Sequence, residues 1–296
     1  MGKKHKKGQG SGNGFLKGAQ GFEQFYSSLY GERWEKLKEA FANPNDSVEF
    51  MVPGAQKPYY LDSASIFAAL CLPLDNATDI LDLCAAPGGK TLVLASRMNE
   101  DAVLSSNERS PQRKHRLSLV VEECLPPQIS ERVKVSCSDG STWCTRQSEC
   151  FDAILLDAPC SSERHVLADP KYLDQWSPSR IKTVTMEQWA LLSSAYRLLR
   201  KGGYLLYSTC ALAPQENDEM MERLIKKFQK EGSDSFEFVE PAPQISQISK
   251  CADFVLSEYE KTKYGYQILP DISNGAGPIY FSLIKKLENN ILCIRT

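Results

Sequence analysis

The chain has 296 residues, 35 of them Lys or Arg and 37 Asp or Glu, which gives a formal net charge of −2, and 42% of it is hydrophobic. This balance excludes a disordered polyelectrolyte, and the lack of a glycine period excludes a collagen-like fibre; a chain of this length can bury one large core. No apolar run approaches the ~20 residues that span a bilayer and the N-terminus is rich in Lys and Gly, so a soluble intracellular protein without membrane association is expected.

Charge is spread unevenly. Residues 1–20 contain Lys3, Lys4, Lys6, Lys7 and Lys17 and no acid, so they carry +5 and the remainder −7. Such a Gly/Lys-rich segment has little to bury, and a basic disordered tail is predicted over 1–20. Phe22, Phe25, Tyr26 and Leu29, then Trp34, Leu37 and Phe41, recur at three- and four-residue spacing, which predicts a helical N-terminal extension over 21–58. The Asn43-Pro44-Asn45-Asp46 run should stop its helices.

From Tyr59 onward, apolar strand-like runs alternate with amphipathic stretches. Strands are predicted at Asp79–Cys84, Ala102–Asn107, Arg132–Cys137, Phe151–Asp157, Gly203–Thr209, Gln267–Leu269 and Ile279–Ile284. Helices are predicted at Thr91–Met98, Pro111–Glu123, Val184–Leu199 and Pro214–Lys230. Ile-, Leu- and Val-rich strands separated by such helices imply βαβ units, hence a doubly wound, mostly parallel α/β sheet of Rossmann-like type over 59–296.

Ligands of open α/β sheets sit beyond the carboxyl ends of the strands, so the residues that follow each strand carry the functional reading. After the first comes Cys84-Ala85-Ala86-Pro87-Gly88-Gly89-Lys90-Thr91. A phosphate loop would need glycine where Cys84 stands, and the Gly-x-Gly-x-x-Gly dinucleotide pattern is absent. Glu108, about 20 residues on, stands where a ribose-binding acid belongs. A nucleoside without a pyrophosphate fits best, with S-adenosylmethionine as the candidate; the plain alternative is a tight turn with incidental glycines. Asp139 ends the third strand, where it either faces an adenine or serves an ordinary Asp-Gly turn.

The ten cysteines include no Cys-x-x-Cys pair, so no metal site is expected, and most should be small core residues. Two stand apart. Cys160 follows the strand that closes on Asp157, and Cys210 follows the strand Gly203–Thr209. If those strands are neighbours, they lie about 5 Å apart and both thiols face the nucleoside crevice. Asp157, an acid at the end of an apolar strand, needs a partner.

At these residues the sequence resembles the RNA cytosine methyltransferases of the Sun type, which form 5-methylcytosine. The matching pieces are Asp82-Leu83-Cys84-Ala85-Ala86-Pro87-Gly88-Gly89-Lys90-Thr91, Leu156-Asp157-Ala158-Pro159-Cys160-Ser161, and Tyr207-Ser208-Thr209-Cys210 followed by Pro214-x-Glu216-Asn217; the similarity runs from about Tyr59 to Lys286. The resemblance implies a class I methyltransferase in which Cys84 to Lys90 line the S-adenosylmethionine site. It further implies Glu108 as the ribose acid in place of the usual Asp, Asp139 on the adenine side and Asp157 at the methyl-donor and cytosine site. Cys210 would be the nucleophile, Cys160 the thiol that assists release, and Arg113 an arginine of the cofactor site. Addition of a thiolate to carbon 6 makes carbon 5 of cytosine nucleophilic, which is why a lowered thiol pKa is needed. Lys90 is the basic candidate for that lowering.

The implied partner is RNA, ribosomal before transfer RNA, bound by a monomer with or without an accessory RNA-binding protein. Candidate phosphate contacts are Arg109, Arg113, Lys114, His115 and Arg116, and Arg164, Lys171, Arg180 and Lys182; each group could equally be a solvated face. The competing readings are a methyltransferase acting on a small molecule or protein, and a non-catalytic ribosome assembly factor on the same fold.

Overall fold

The computed structural model describes residues 16–44, 46–229, 235–253, 255 and 258–288. The chain begins with helices α1 (Gly18–Tyr30) and α2 (Arg33–Ala42), then strands β1 (Ser47–Phe50) and β2 (Tyr59–Asp62) and helix α3 (Ser63–Leu70). The alternating part follows as β3 (Asp79–Asp82), α4 (Gly89–Ala95), β4 (Val103–Asn107), α5 (Pro111–Cys124), α6 (Pro127–Ser130), β5 (Val133–Ser136) and β6 (Phe151–Asp157). Next come α7 (Glu163–Ala168), α8 (Pro170–Asp174), α9 (Pro178–Leu198), β7 (Leu199–Thr209) and α10 (Asp218–Phe228). Strands β8 (Phe236–Phe238), β9 (Glu260–Lys261), β10 (Tyr266–Ile268) and β11 (Ile279–Lys286) complete the order.

The central sheet runs β5-β4-β3-β6-β7-β11-β10-β9, with β8 paired beside β11. Its first five strands are parallel, and β11 turns the far side antiparallel. Period-two alternation sends successive apolar residues to opposite faces. Ile80, Leu104, Ala153, Leu155 and Leu206 pack under α3, α4 and α5, whereas Leu81, Ile154, Leu156, Leu205 and Tyr207 pack against α9 and α10. The expected doubly wound α/β architecture is the observed one.

Most element ends shift by a few residues from the sequence reading, and larger differences lie in the N-terminal part and the last strands. Helix α1 starts at Gly18, so residues 18–20 are helical rather than tail, while Lys3, Lys4, Lys6 and Lys7 lie outside the described residues. The 21–58 extension is not wholly helical, because β1 pairs with β2 across its predicted edge. Strands β8 and β9, of three and two residues, are too short to show a periodic pattern. The extension is also no loose appendage. Phe22, Tyr26, Trp34 and Leu37 are buried against Trp176, Ile181 and Leu212, residues that follow the two cysteine motifs.

Candidate active site

Strand order reverses between β3, which pairs with β4 on one side, and β6 on the other, and the loops beyond β3, β4, β5, β6 and β7 meet at this switch point. They enclose a cavity of about 500 Å³ lined by Cys84, Ala86, Pro87, Glu108, Asp139 and Cys210, among others. That volume suits a nucleoside-sized ligand.

The loop after β3 is held from its neighbours. Ala85 N–H donates to the Asn107 carbonyl at 2.8 Å, and Arg113 donates to the Ala86 carbonyl at 2.6 Å. The same Arg113 pairs with Glu108 Oε2 at 3.1 Å, and Glu108 Oε1 accepts from Ser110 N–H at 2.8 Å. Glu108 is therefore a buried, oriented carboxylate with a cation beside it. Asn107, which the sequence reading passed over, is the buried amide of this corner: it donates to the Leu83 and Ser138 carbonyls and accepts from Ser138 N–H. Asp139 lines the cavity while its Oδ1 accepts from Ser141 N–H and Oγ, the hydrogen bonds of the expected turn.

The two glycines serve packing first. Gly88 has φ 122°, and a Cβ there would lie 2.8 Å from Val120 on α5. Only glycine takes that conformation readily and lets the helices approach. Gly88 is absent from the walls of the first cavity, and Gly89 faces Tyr59 and Leu61 and lines a smaller cavity on the β2 side of the loop. Burial pushes the Cys84 thiol up, and Asp82, Asp157 and Glu108 add to the effect, so it is a neutral wall residue. Beneath it Asp82 accepts from Thr91 Oγ1 at 2.7 Å, and burial pushes its carboxyl up to about 7.

Beside the first cavity lies a second of about 470 Å³, lined by Asp62, Ser65, Lys90, Arg164, His165 and the loop before β11. The two share Asp157, Ala158, Ser162 and Cys210. Strands β6 and β7 are parallel neighbours, with Asp157 opposite Ser208, and this register brings the chain ends together. Cys160 and Cys210 have Cα atoms 6.3 Å apart and touching sulfurs. Ser162 Oγ bridges them, 3.3 Å from Cys160 Sγ and 3.1 Å from Cys210 Sγ. Asp157 has the partners its position requires: Lys90 Nζ donates to Oδ2 at 2.8 Å and Ser208 Oγ to Oδ1 at 2.9 Å. Lys90 also reaches Ser65 Oγ at 3.3 Å. Its ammonium is thus paired with Asp157, in the cavity that Cys210 also lines.

Two buried acids support the Cys160 loop from below. Glu216 Oε2 accepts from Ser161 N–H and from Gln188 Nε2, both at 2.9 Å. Glu163 accepts from Ser161 Oγ and from the Tyr26 hydroxyl of α1, and takes Leu212 N–H at 3.0 Å. With no cation against them, burial raises both carboxyls; Glu216, also facing Glu163, is pushed up to about 7.

Residues 69–283 match the family model described as 16S rRNA methyltransferase RsmB/F. The chain belongs to this family. It is 28% identical over 239 residues to the 5-cytosine rRNA methyltransferase NSUN4 of Xenopus tropicalis, a match covering 79% of this chain and 58% of that one. It is 33% identical over 249 residues to the ribosomal RNA small subunit methyltransferase F of Escherichia coli, covering 78% and 50%. The chain thus spans about half to three fifths of the length of these relatives. Among solved structures, a methyltransferase homolog protein of Pyrococcus horikoshii superposes with a TM-score of 0.68 at 21% identity, over 90% of this chain and 94% of that one, a likeness of fold.

The structure brings Glu108, Arg113, Asp139, Asp157, Cys160, Cys210 and most of the Cys84 to Lys90 loop together around neighbouring cavities. Cys84, Ala86 and Pro87 line the first cavity with Glu108, Arg113, Asp139 and Asp157; Ala85, Gly89 and Lys90 lie on the β2 side of the same loop. Of the basic residues, Arg109 pairs with Glu187 at 2.8 Å, Arg113 with Glu108, and Arg164 is half buried with its guanidinium on the Gly275 carbonyl at 2.8 Å. Arg164 therefore holds the wall of the second cavity rather than presenting a free surface cation. His115, Arg116, Lys171, Arg180 and Lys182 are exposed. Of the seven free cysteines among the described residues, Cys71, Cys124 and Cys251 are buried, Cys84, Cys144 and Cys150 pack partly buried against the core, and Cys137 is exposed. No described helix is long and apolar enough to cross a membrane.

Proposed function

We propose that this protein methylates carbon 5 of a cytosine in RNA, with S-adenosylmethionine as methyl donor and Cys210 as the nucleophile. The observation that carries the reading is the pair of sulfurs from neighbouring strands, Cys160 and Cys210, set at the junction of two cavities that share Asp157. A nucleoside pocket on one side and a second, cation-lined pocket on the other suit a donor and a base that meet at one point.

The first cavity fits the donor. Glu108 is buried and oriented for a ribose diol, Asp139 stands across from it, and the carboxylates favour a cationic ligand. When bound, S-adenosylmethionine supplies an electrophilic methyl group on a sulfonium. In the second cavity Cys210 Sγ, as thiolate, forms a bond to carbon 6 of the ring and pushes its electron pair toward carbon 5. The Lys90–Asp157 pair stabilises the charge that addition places on the ring, with Asp157 held by Lys90 and Ser208. After methylation the carbon 5 proton leaves to a base, the carbon–sulfur bond breaks, and Cys210 departs as thiolate; Cys160, in contact with it, assists this release. The base must be unstacked to enter, so the target is single-stranded or flipped out.

Ribosomal RNA is the first choice of substrate and transfer RNA the second, which the names of the relatives support. The small number of free cations around the site favours a substrate presented on a ribosomal subunit or by an accessory RNA-binding protein. The experiment is methyl transfer to RNA by two variants: Cys210→Ala loses activity, and Cys160→Ala accumulates a covalent protein–RNA adduct on denaturing gels. Activity without Cys210, together with no adduct from Cys160→Ala, would refute these roles. Absence of S-adenosylmethionine binding by calorimetry would favour the assembly-factor reading instead.

A further inference from the structure

Ser162 is one of three non-glycine residues with positive φ among the described residues, at φ 55° and ψ 66°. A left-handed residue with a Cβ costs about 1 kcal/mol and persists where its surroundings enforce it. Here both flanks are pinned: Ser161 N–H to Glu216 and Ser161 Oγ to Glu163, while the Ser162 carbonyl accepts Val166 N–H at 3.0 Å in the first turn of α7. The consequence is positional. The turn aims Ser162 Oγ between the two sulfurs, 3.1 Å from Cys210 and 3.3 Å from Cys160. A hydroxyl has one proton to donate and two lone pairs to accept with, so it can donate to one sulfur while accepting from the other.

We propose that Ser162 is a positioning residue for Cys210, its hydroxyl donating to the thiolate and so fixing the sulfur and favouring its ionised form. This rests on the reading of Cys210 as the nucleophile. A hydrogen bond made to the charged form is one of the three ways a site lowers an acid's pKa, and Lys90 is paired with Asp157. The other charged and titratable groups around Cys210 are, in the second cavity, Asp62, Lys90, Asp157, Arg164 and His165. On the first-cavity side they are Glu108, Arg109, Arg113, Asp139 and Glu187, with Cys160 between. Lys90, Arg109 and Arg113 are each paired with one of the carboxylates and Arg164 rests on the Gly275 carbonyl, whereas the Ser162 hydroxyl is within hydrogen-bond distance of Cys210 Sγ.

The test is the pH profile of Cys210 alkylation by iodoacetamide in freshly reduced full-length protein, read by peptide mass spectrometry, for wild type, Ser162→Ala and Ser162→Gly. Exposed Cys137 serves as internal control. Alanine deletes the hydroxyl and keeps the Cβ; glycine deletes the hydroxyl and relieves the left-handed backbone, so it cannot fail through strain. The expected result is that the Cys210 midpoint rises by about one pH unit in both variants, a roughly tenfold slower reaction below the midpoint, with Cys137 unmoved. A midpoint unmoved in Ser162→Gly overturns the proposal. The measurement needs neither RNA nor methyl donor, so failure of the functional reading appears separately, as wild-type protein with this alkylation profile that neither methylates RNA nor forms an adduct.

Discussion

Neutralising Glu216 should flatten part of the pH dependence of stability. Its carboxyl is fully buried, accepts from Ser161 and Gln188 through Oε2, and leaves Oε1 without a hydrogen-bond partner. Burial and the nearby Glu163 push it from an ordinary 4.5 up to about 7. The neutral form is therefore favoured by folding, and its contribution is fully present below pH about 4.5 and is lost as pH rises toward 7. A displacement of this size makes the loss on the order of 3 kcal/mol, shared with Glu163, which Glu216 faces. Glu216→Gln keeps an oxygen to accept from Ser161 and Gln188 and titrates nowhere in the range. Urea unfolding of both proteins from pH 4.5 to 8 is the assay. The variant should gain on the order of 3 kcal/mol on wild type between pH 4.5 and 7 and nothing further above that. Asp82, also pushed up to about 7, is common to both proteins and cancels in the difference. A difference that stays constant with pH would refute the reasoning, because an unpaired amide or a lost contact costs the same at every pH.

Other consequences can be checked as directly. Glu108→Ala removes the buried acid of the donor cavity and should weaken S-adenosylmethionine binding about 10- to 100-fold by calorimetry; an unchanged Kd would exclude it from the site. Tyr26→Phe keeps the ring stacked on Trp34 at 5.3 Å but withdraws a donor from Glu163, so the urea midpoint should fall by the equivalent of about 1–3 kcal/mol with an unchanged slope. Deleting residues 2–15, with Lys3, Lys4, Lys6 and Lys7, should weaken RNA binding and reduce the salt slope by up to about 3 on single strands; equal slopes would remove the tail from the RNA surface.

The parts of this molecule legible in sequence are those written by periodicity and by spacing along one strand. Phe151–Asp157 appears at its predicted ends because seven residues alternate between two apolar faces, and the pairing of Cys160 with Cys210 follows once β6 and β7 are neighbours. What stayed hidden depends on contacts between distant segments. Tyr26 reads as one more apolar position of a helix, yet its hydroxyl reaches Glu163, 137 residues away. Glu216 reads as part of a motif after the nucleophile, yet its carboxylate holds the loop of the other cysteine. Nothing in a Ser-Ser dipeptide indicates which serine takes the left-handed turn. Gly88 was legible as a glycine that matters, but the reason, Val120 at 2.8 Å from a would-be Cβ, lies on another helix.

The same distinction bears on RNA binding. Counting cations along the sequence credits the surface with Arg109, Arg113 and Arg164, whereas the fold spends each on a local partner: Glu187, Glu108 and the Gly275 carbonyl. Of the candidates counted, those left exposed are His115 and Arg116 on α5, Lys171 on α8 and Arg180 and Lys182 on α9. Paired cations contribute little to phosphate binding, because neutralising a phosphate with them first requires breaking the internal pair. A net charge of −2 is therefore compatible with an RNA substrate only if affinity comes from a few local contacts, from the +5 carried by residues 1–20, or from surfaces that the RNA's own complex supplies. The salt slope separates these: a slope set by the tail falls when the tail is removed, whereas one set by the exposed cations of α5 and α9 does not.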